Sequence, residues 1–177
     1  MNAWNGSLKP VVVLVLVCLL AGIILSSANL ITAPVIAANE EAANNETYMA
    51  ALPEADAFTT VDCAIEGVTA VLQANNGAGW VITAQSRGYG GQVPAAVAFD
   101  NAGRILRVIM MSNEETPGLG QKVTEPGFSE QFSGMAASSF SLEDIDAVSG
   151  ATISSRASVN AINLAISAYN EVTGGAA

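Results

Sequence analysis

Residues 10–39 carry no charged side chain, and that one fact limits what the start of this chain can be. The run VVVLVLVCLLAGIIL over 11–25 continues through SSANLITAPVIAA with only small or polar interruptions. A helix of about 20 apolar residues crosses a bilayer whose hydrocarbon core is about 30 Å thick. The segment is therefore long enough for a transmembrane anchor. Lys9 precedes it, and the next Lys or Arg is Arg87. The positive-inside rule then places the N-terminus in the cytoplasm and the rest of the chain outside. A cleaved signal peptide is the competing reading, with Val35 and Ala37 at a small-residue cleavage site, but the apolar stretch is long for one. Cys18 lies in the middle of the run, which argues against lipoprotein processing. Pro34 is expected to end or kink the anchor, because it lacks an N–H and its ring crowds the preceding turn.

The chain has 177 residues, so the part beyond the anchor is the size of one ordinary domain. Its formal net charge is −10, and all sixteen acidic residues lie beyond position 39. Arg87, Arg104, Arg107, Lys122 and Arg156 are scattered, so no basic cluster exists to neutralise a phosphate backbone, and nucleic acid is excluded as a partner. The absence of His rules out Ser-His-Asp and Cys-His catalysis, His-ligated haem and most catalytic zinc sites. Cys18 and Cys63 are too few for an iron–sulfur or Cys-rich zinc site. No metal site and no catalytic side chain is expected, and any redox cofactor must be organic or carried by a partner.

Residues 39–55 are Ala- and Glu-rich and predict a helix stopping at Leu52–Pro53. GVTAVLQANN from Gly67 and GWVITAQSRGYGG predict a hairpin around Asn75-Asn76-Gly77. VPAAVAFDNAGRILRVIMM predicts two more strands joined at Asp100-Asn101-Ala102-Gly103. Alternation through Ile105, Arg107 and Ile109 suggests one wetter face. Residues 112–123 read as a loop, and a short helix is expected near 129–132. The C-terminal helix carries Val159, Ile162, Ile166 and Tyr169 on one stripe, with Gly174 and Gly175 ending it. Trp80 and Phe99 read as core. This order predicts an α+β fold with an antiparallel sheet flanked by helices. The expected divisions are an N-terminus and anchor over 1–38, a linker helix over 39–56 and a single domain over 57–177.

The chemistry concentrates in Asp146-Ala147-Val148-Ser149-Gly150-Ala151-Thr152-Ile153-Ser154-Ser155, a hydroxyl-rich loop running into the last helix. Free N–H groups and the positive end of the helix dipole make such a junction a natural phosphate site. Plain helix capping by Ser or Thr is the alternative. The run DAVSGAT resembles the flavinylation motif of the FMN-binding domain family, Asp-x-x-Ser/Thr-Gly-Ala-Thr, and every position is matched. The resemblance implies FMN bound covalently by a phosphoester to Thr152, installed by a flavin transferase that uses FAD and reads Asp146. It places Ser149, Gly150, Ala151, Ser154 and Ser155 around the cofactor. Glu115-Thr116-Pro117-Gly118-Leu119-Gly120 is similar to the family's Glu-Thr-Pro-Gly-Leu-Gly loop, which lies along the flavin. Thr116 and backbone N–H groups would bond the polar edge of the ring and Leu119 would pack on it. Lys122, just after this loop, is grouped with the flavin-binding residues against the alternative of a solvated lysine; Arg87 reads as solvated. Gly88-Tyr89-Gly90-Gly91 resembles the family's Gly-Tyr-Gly run near the flavin, with a tight turn and a partly buried Tyr89 as the alternative.

One anchor with a single such domain is similar to the G subunits of Rnf complexes, in which electrons pass between reduced ferredoxin and NAD⁺ coupled to ion transport. The C subunits of sodium-pumping NADH:quinone reductases share both motifs. The resemblance implies an electron carrier without independent turnover. Its partners would be other membrane and peripheral subunits of the complex, and the transferase during maturation. Two other classes compete. One is a non-redox anchored binding or assembly module. The other is a hydrolase with Ser149 or Thr152 as nucleophile and Lys122 as base.

Overall fold

The computed structural model describes residues 9–174, apart from the Ala37 side chain. The expected cytoplasmic tail before Lys9, Gly175 as a helix terminator, and the Ala37 side chain of the alternative cleavage site lie outside the described residues. The chain divides into two compact units, one ending at Asn44 and one beginning at Asn45.

The first unit is helical throughout its described part, as the N-terminal portion of α1 (Lys9–Ala51). Its best 18-residue window has a mean hydropathy of 3.0 and buries nothing inside the protein, so α1 is long and apolar enough to cross a membrane. Of the two effects expected of Pro34, ending the helix does not occur, and the helix continues to Ala51. A proline removes one backbone bond, a loss that apolar membrane-type helices tolerate. Ser27 and Thr32 turn their hydroxyls back onto the carbonyls of Ile23 and Ala28, which hides them from an apolar surrounding.

The second unit is built on a five-stranded antiparallel meander, β1 (Phe58–Thr60), β2 (Val68–Ala74), β3 (Trp80–Arg87), β4 (Gln92–Phe99) and β5 (Ile105–Met110), paired in that order. The hairpins fall where the Asn75-Asn76-Gly77, Gly88–Gly91 and Asp100–Gly103 signals put them. A 3-10 turn (Gly120–Thr124) at the end of the expected loop, a short helix α2 (Pro126–Ser129) with a 3-10 turn (Glu130–Phe132) near the expected short helix, and a further 3-10 turn (Leu142–Asp144) follow. The long helix α3 (Thr152–Thr173) closes the unit and ends at Gly174, whose left-handed backbone donates to Asn170 and Glu171 carbonyls. β1 was not foreseen; three residues are too few to show a period.

Side-chain alternation splits the sheet between two cores. Ile82, Ala84, Val93, Ala95, Val97 and Phe99 face α3, whose Val159, Ile162, Ile166 and Tyr169 meet them as the stripe predicts. Ala157, Ala161, Ala165 and Ala168 are also fully packed and let the helix axis come close to the strands. Phe99 stacks on Tyr169 with ring centroids 4.7 Å apart, and the Tyr169 hydroxyl donates to the Asp100 carbonyl. Trp80 is core, as expected. Val81, Ala96 and Ala98 face the other way and pack with Ala51, Leu52 and Ala55 from the helix end. β4 is thus buried on both faces, which is why VPAAVAF reads as a continuous apolar run.

β5 corrects the expected alternation. Its pairing with β4 shifts between Ala98 and Phe99, so a bulge inserts Leu106. The phase changes there: Ile105, Val108 and Met110 enter the α3 core, whereas Ile109 belongs to the opposite cluster and Leu106 and Arg107 are exposed.

Truncating the stripe should separate core from site. Ile162→Ala should cost about 2–5 kcal/mol in chemical denaturation of the detergent-solubilised chain. Ile153→Ala, on the exposed side of the same helix, should cost about 0.5 kcal/mol or less.

Candidate functional site

Three segments that are distant in sequence meet at the start of α3: the β3–β4 hairpin tip, the loop over 115–120, and the 146–155 run. They meet on one carboxylate. Glu115 is 1% exposed, although nothing in its sequence position suggests burial. Its Oε1 accepts from the Gly90 N–H at 2.8 Å, and its Oε2 accepts a short hydrogen bond from the Ser154 hydroxyl. Burial by itself raises the carboxyl's pKa. The Ser154 hydroxyl and the N–H groups of Gly90, Gly91 and Tyr89 outweigh that effect and hold it below its ordinary value, so it is an anion at neutral pH.

Three glycines permit this closeness, the first being Gly88, where a Cβ would collide with the Glu115 Oε1. A Cβ on Gly90 would collide with the Glu114 carbonyl, and one on Gly120 would sit 2.7 Å from the Ser154 oxygen and 2.9 Å from the Glu115 Cβ. All three look like ordinary turn glycines in the sequence; here they are contact surfaces.

The four hydroxyls of the 146–155 run divide into two pairs. Ser154 holds Glu115. Ser155 is fully buried and accepts from the Val148 N–H at 3.0 Å, tying the loop to the helix. Ser149 and Thr152 are exposed and make no hydrogen bond among the described residues. Simple capping is overturned as the role of these residues: the N-cap is Ala151, and no side chain caps the helix. The first-turn N–H groups, which a helix cannot satisfy internally, are left without a side-chain acceptor beside the Thr152 hydroxyl. Gly150, at φ +79°, makes the turn that brings them there.

Thr152 opens onto a cleft of about 470 Å³, within the about 300–1,000 Å³ usual for small-molecule sites. Glu115 and Gly120 form part of its lining, with Thr116, Gly150, Ala151 and Ser154. Three large apolar side chains stand at it while exposed to solvent: Tyr89, Leu119 and Ile153. Tyr89 is 73% exposed at the hairpin tip, so the partly buried turn tyrosine is not what the structure contains. Ile153 was missed by the sequence reading. Its signal was available: it lies nine residues before Ile162, half a turn out of phase at about 100° per residue, and so off the core stripe.

Other expected site residues lie apart from this cleft. Lys122 is exposed and lines a smaller depression of about 230 Å³ together with Asp146, Glu125 and Val148. Gly118 is an exposed turn residue at φ +72°. Gln131, also unforeseen, holds the Asp146 backbone, accepting from its N–H at 2.8 Å, and donates to the Phe128 carbonyl at 2.7 Å. No sequence signal links residues 131 and 146.

The residues present fit FMN. A phosphate ester suits an uncapped helix start with an unbonded hydroxyl, and a flat aromatic ring system suits exposed apolar side chains around a cleft.

The lowered Glu115 pKa predicts a stability signature. Its contribution is complete above the ordinary carboxyl value of 4.5 and is lost as pH falls through the lower folded-state value. Denaturation midpoints of the native chain and Glu115→Gln should therefore differ at pH 7 and converge on acidification below about 4.5. A gap that is constant down to pH 3 would contradict the assignment.

The FMN-binding domain family matches residues 88–167, from the hairpin tip through most of α3. The chain is 30% identical to the G subunit of the proton-translocating ferredoxin:NAD(+) oxidoreductase complex of Clostridium ljungdahlii, over 92% of this chain and 91% of that protein. It is 34% identical to the G subunit of the ion-translocating oxidoreductase complex of Shewanella piezotolerans, over 58% of this chain and 55% of that one. Its fold resembles the C subunit of the Na(+)-translocating NADH-quinone reductase from Parabacteroides distasonis, with a TM-score of 0.50 and 21% identity over 60% of this chain and 61% of that one. With sequence likeness running almost end to end and an FMN-binding domain in its C-terminal half, this chain belongs to the family of G subunits of Rnf-type ion-translocating oxidoreductase complexes.

Proposed function

We propose that this chain is a membrane-anchored electron carrier that holds FMN covalently on Thr152 and relays electrons within an ion-translocating ferredoxin:NAD⁺ oxidoreductase complex. The observation that carries the covalent reading is the Thr152 hydroxyl, exposed and unbonded at an uncapped helix start on the cleft. The other Ser and Thr hydroxyls within α3 are engaged: Ser158, Ser167 and Thr173 donate to carbonyls one turn back, and Ser154 and Ser155 make the cross-links described above. Thr152 is the first helical residue, and the Val148 carbonyl one turn before it already accepts from Ala151.

Attachment would be a transfer from FAD, catalysed by a separate flavin transferase. A bond forms between Thr152 Oγ and the phosphorus of the FMN half. The pyrophosphate P–O bond breaks, AMP leaves with the electron pair, and the hydroxyl proton is lost. Asp146, exposed beside the loop, is the proposed recognition point for the transferase. When bound, FMN supplies one- and two-electron chemistry. The chain's own residues position it. First-turn N–H groups meet the phosphate, while Leu119, Ile153 and Tyr89 shield the ring from water. Attachment at the phosphate leaves ring chemistry free and prevents loss of a cofactor that no cytosolic pool could replace.

The proposed organisation is an anchor over 1–38 with its N-terminus cytoplasmic, a linker over 39–56, and an extracytoplasmic flavin domain over 57–177. Other subunits of the complex are the electron donor and acceptor, and the chain has no independent turnover.

Denatured chain from cells that make the transferase should fluoresce under ultraviolet light in a gel. The Thr152 peptide should gain the mass of FMN less one water. Thr152→Ala should abolish both and leave the domain folded. Covalent flavin persisting in that variant would overturn the assignment.

A further inference from the structure

Resting on the reading of Thr152 as the attachment point, we propose that Glu115 is a positioning residue with two effects: its carboxylate aligns the first turn of α3 for flavin attachment, and its negative charge beneath the cleft lowers the reduction potential of the bound flavin.

The alignment follows from what holds the helix start. No side chain caps α3, so its first turn is not fixed through its own N–H groups. It is fixed through side chains pointing the other way: Ser155 to the Val148 N–H and Ser154 to Glu115. Ser154 is two residues from Thr152, and the carboxylate that holds it also grips the Gly90 N–H across the hairpin tip that carries Tyr89. Asn113 supports Glu115 in turn, accepting from its N–H at 3.2 Å. A cap would satisfy the N–H groups that a phosphate needs. Clamping the turn from its buried side orders the helix start and leaves those donors and the Thr152 hydroxyl open.

The charge effect follows from partners and place. Glu115 lines the cleft floor while almost wholly buried, and hydrogen bonds alone satisfy it. Among the described residues no Lys or Arg pairs with it; Lys122 is exposed at a different depression. An uncompensated anion in a partly desolvated site opposes the arrival of electrons on a neighbouring ring, because Coulomb energy grows as the local dielectric falls.

Three full-length variants, each co-expressed with a flavin transferase and purified in detergent, separate these effects. Glu115→Gln keeps the shape and can keep hydrogen bonds to Gly90 and Ser154, but removes the charge. The fraction that acquires covalent flavin should show a more positive midpoint potential than the native chain in a spectroelectrochemical titration. Ser154→Ala keeps the charge and cuts the tie to the helix. It should slow flavin attachment on the order of tenfold or more, read by mass spectrometry of the Thr152 peptide over time, since small misplacements of a reacting group carry large rate penalties. Glu115→Ala should show the same slowing, and if it fails to fold the other two variants decide alone. An unchanged potential in Glu115→Gln overturns the charge effect, because a purely structural residue replaced by its isostere would leave the potential where it was. Attachment at the native rate in Ser154→Ala overturns the alignment. Native chain that never acquires covalent flavin removes the Thr152 reading itself, and this inference with it. Native chain that loads normally beside unaltered variants overturns this inference alone.

Discussion

A single buried carboxylate organises the functional end of this domain. Glu115 ties together a hairpin tip, a glycine-rich loop and the start of a helix, three pieces of chain far apart in sequence. Burying an ion is costly unless its hydrogen-bonding capacity is met. Here a hydroxyl and backbone N–H groups meet it, and they come from separate segments, so the cost enforces the geometry. If any of the three segments moved away, the anion would be left short of a donor in a dry site. The cleft owes its shape to that requirement. The remainder of the domain, a meander with α3 across one face, provides a rigid base on which these segments are held.

The glycines complete the constraint. Gly90 and Gly120 are placed where a methyl group would strike the Glu114 carbonyl or the Glu115–Ser154 pair. Their role is therefore subtractive: Gly90 lets the hairpin tip lie against the Glu114 backbone, and Gly120 lets its own backbone pass close to the Ser154 and Glu115 side chains. Gly150 does a different job, turning the chain with a positive φ so that α3 begins at the cleft. Residues that look alike in a motif thus act through unlike physics, one by lacking volume and one by tolerating a conformation.

Much of the fold was legible because it rests on local periodicity. The β2–β5 hairpins follow from turn residues and apolar strands, and the stripe Val159, Ile162, Ile166 and Tyr169 follows from helical spacing. The features that failed to show depend on partners elsewhere. The bulge at Leu106 shifts the phase of β5, and no residue there announces it. Pro34 has a strong local preference to break a helix, yet α1 runs through it. At the site, the motifs marked the correct segments but not the division of labour within them. Ser149, Thr152, Ser154 and Ser155 are four similar hydroxyls in sequence. Only the fold turns two inward onto Glu115 and the Val148 N–H and leaves two open. Lys122 was grouped with the cleft by proximity in sequence, whereas the turn after Gly120 carries it to the depression beside Asp146.

That division bears on how a modified residue can be chosen among neighbours of nearly the same chemistry. Ser154 and Ser155 are buried, so each would have to leave the core before its oxygen could reach a phosphorus. Ser149 is open but does not itself line the cleft. Thr152 alone combines an unbonded hydroxyl, a position on the cleft and a place in the first helical turn, where free N–H groups favour a phosphate. Selectivity of this kind requires no special reactivity at Thr152. On the proposed attachment at Thr152, it would follow from the burial of the neighbouring hydroxyls, one of them held on Glu115.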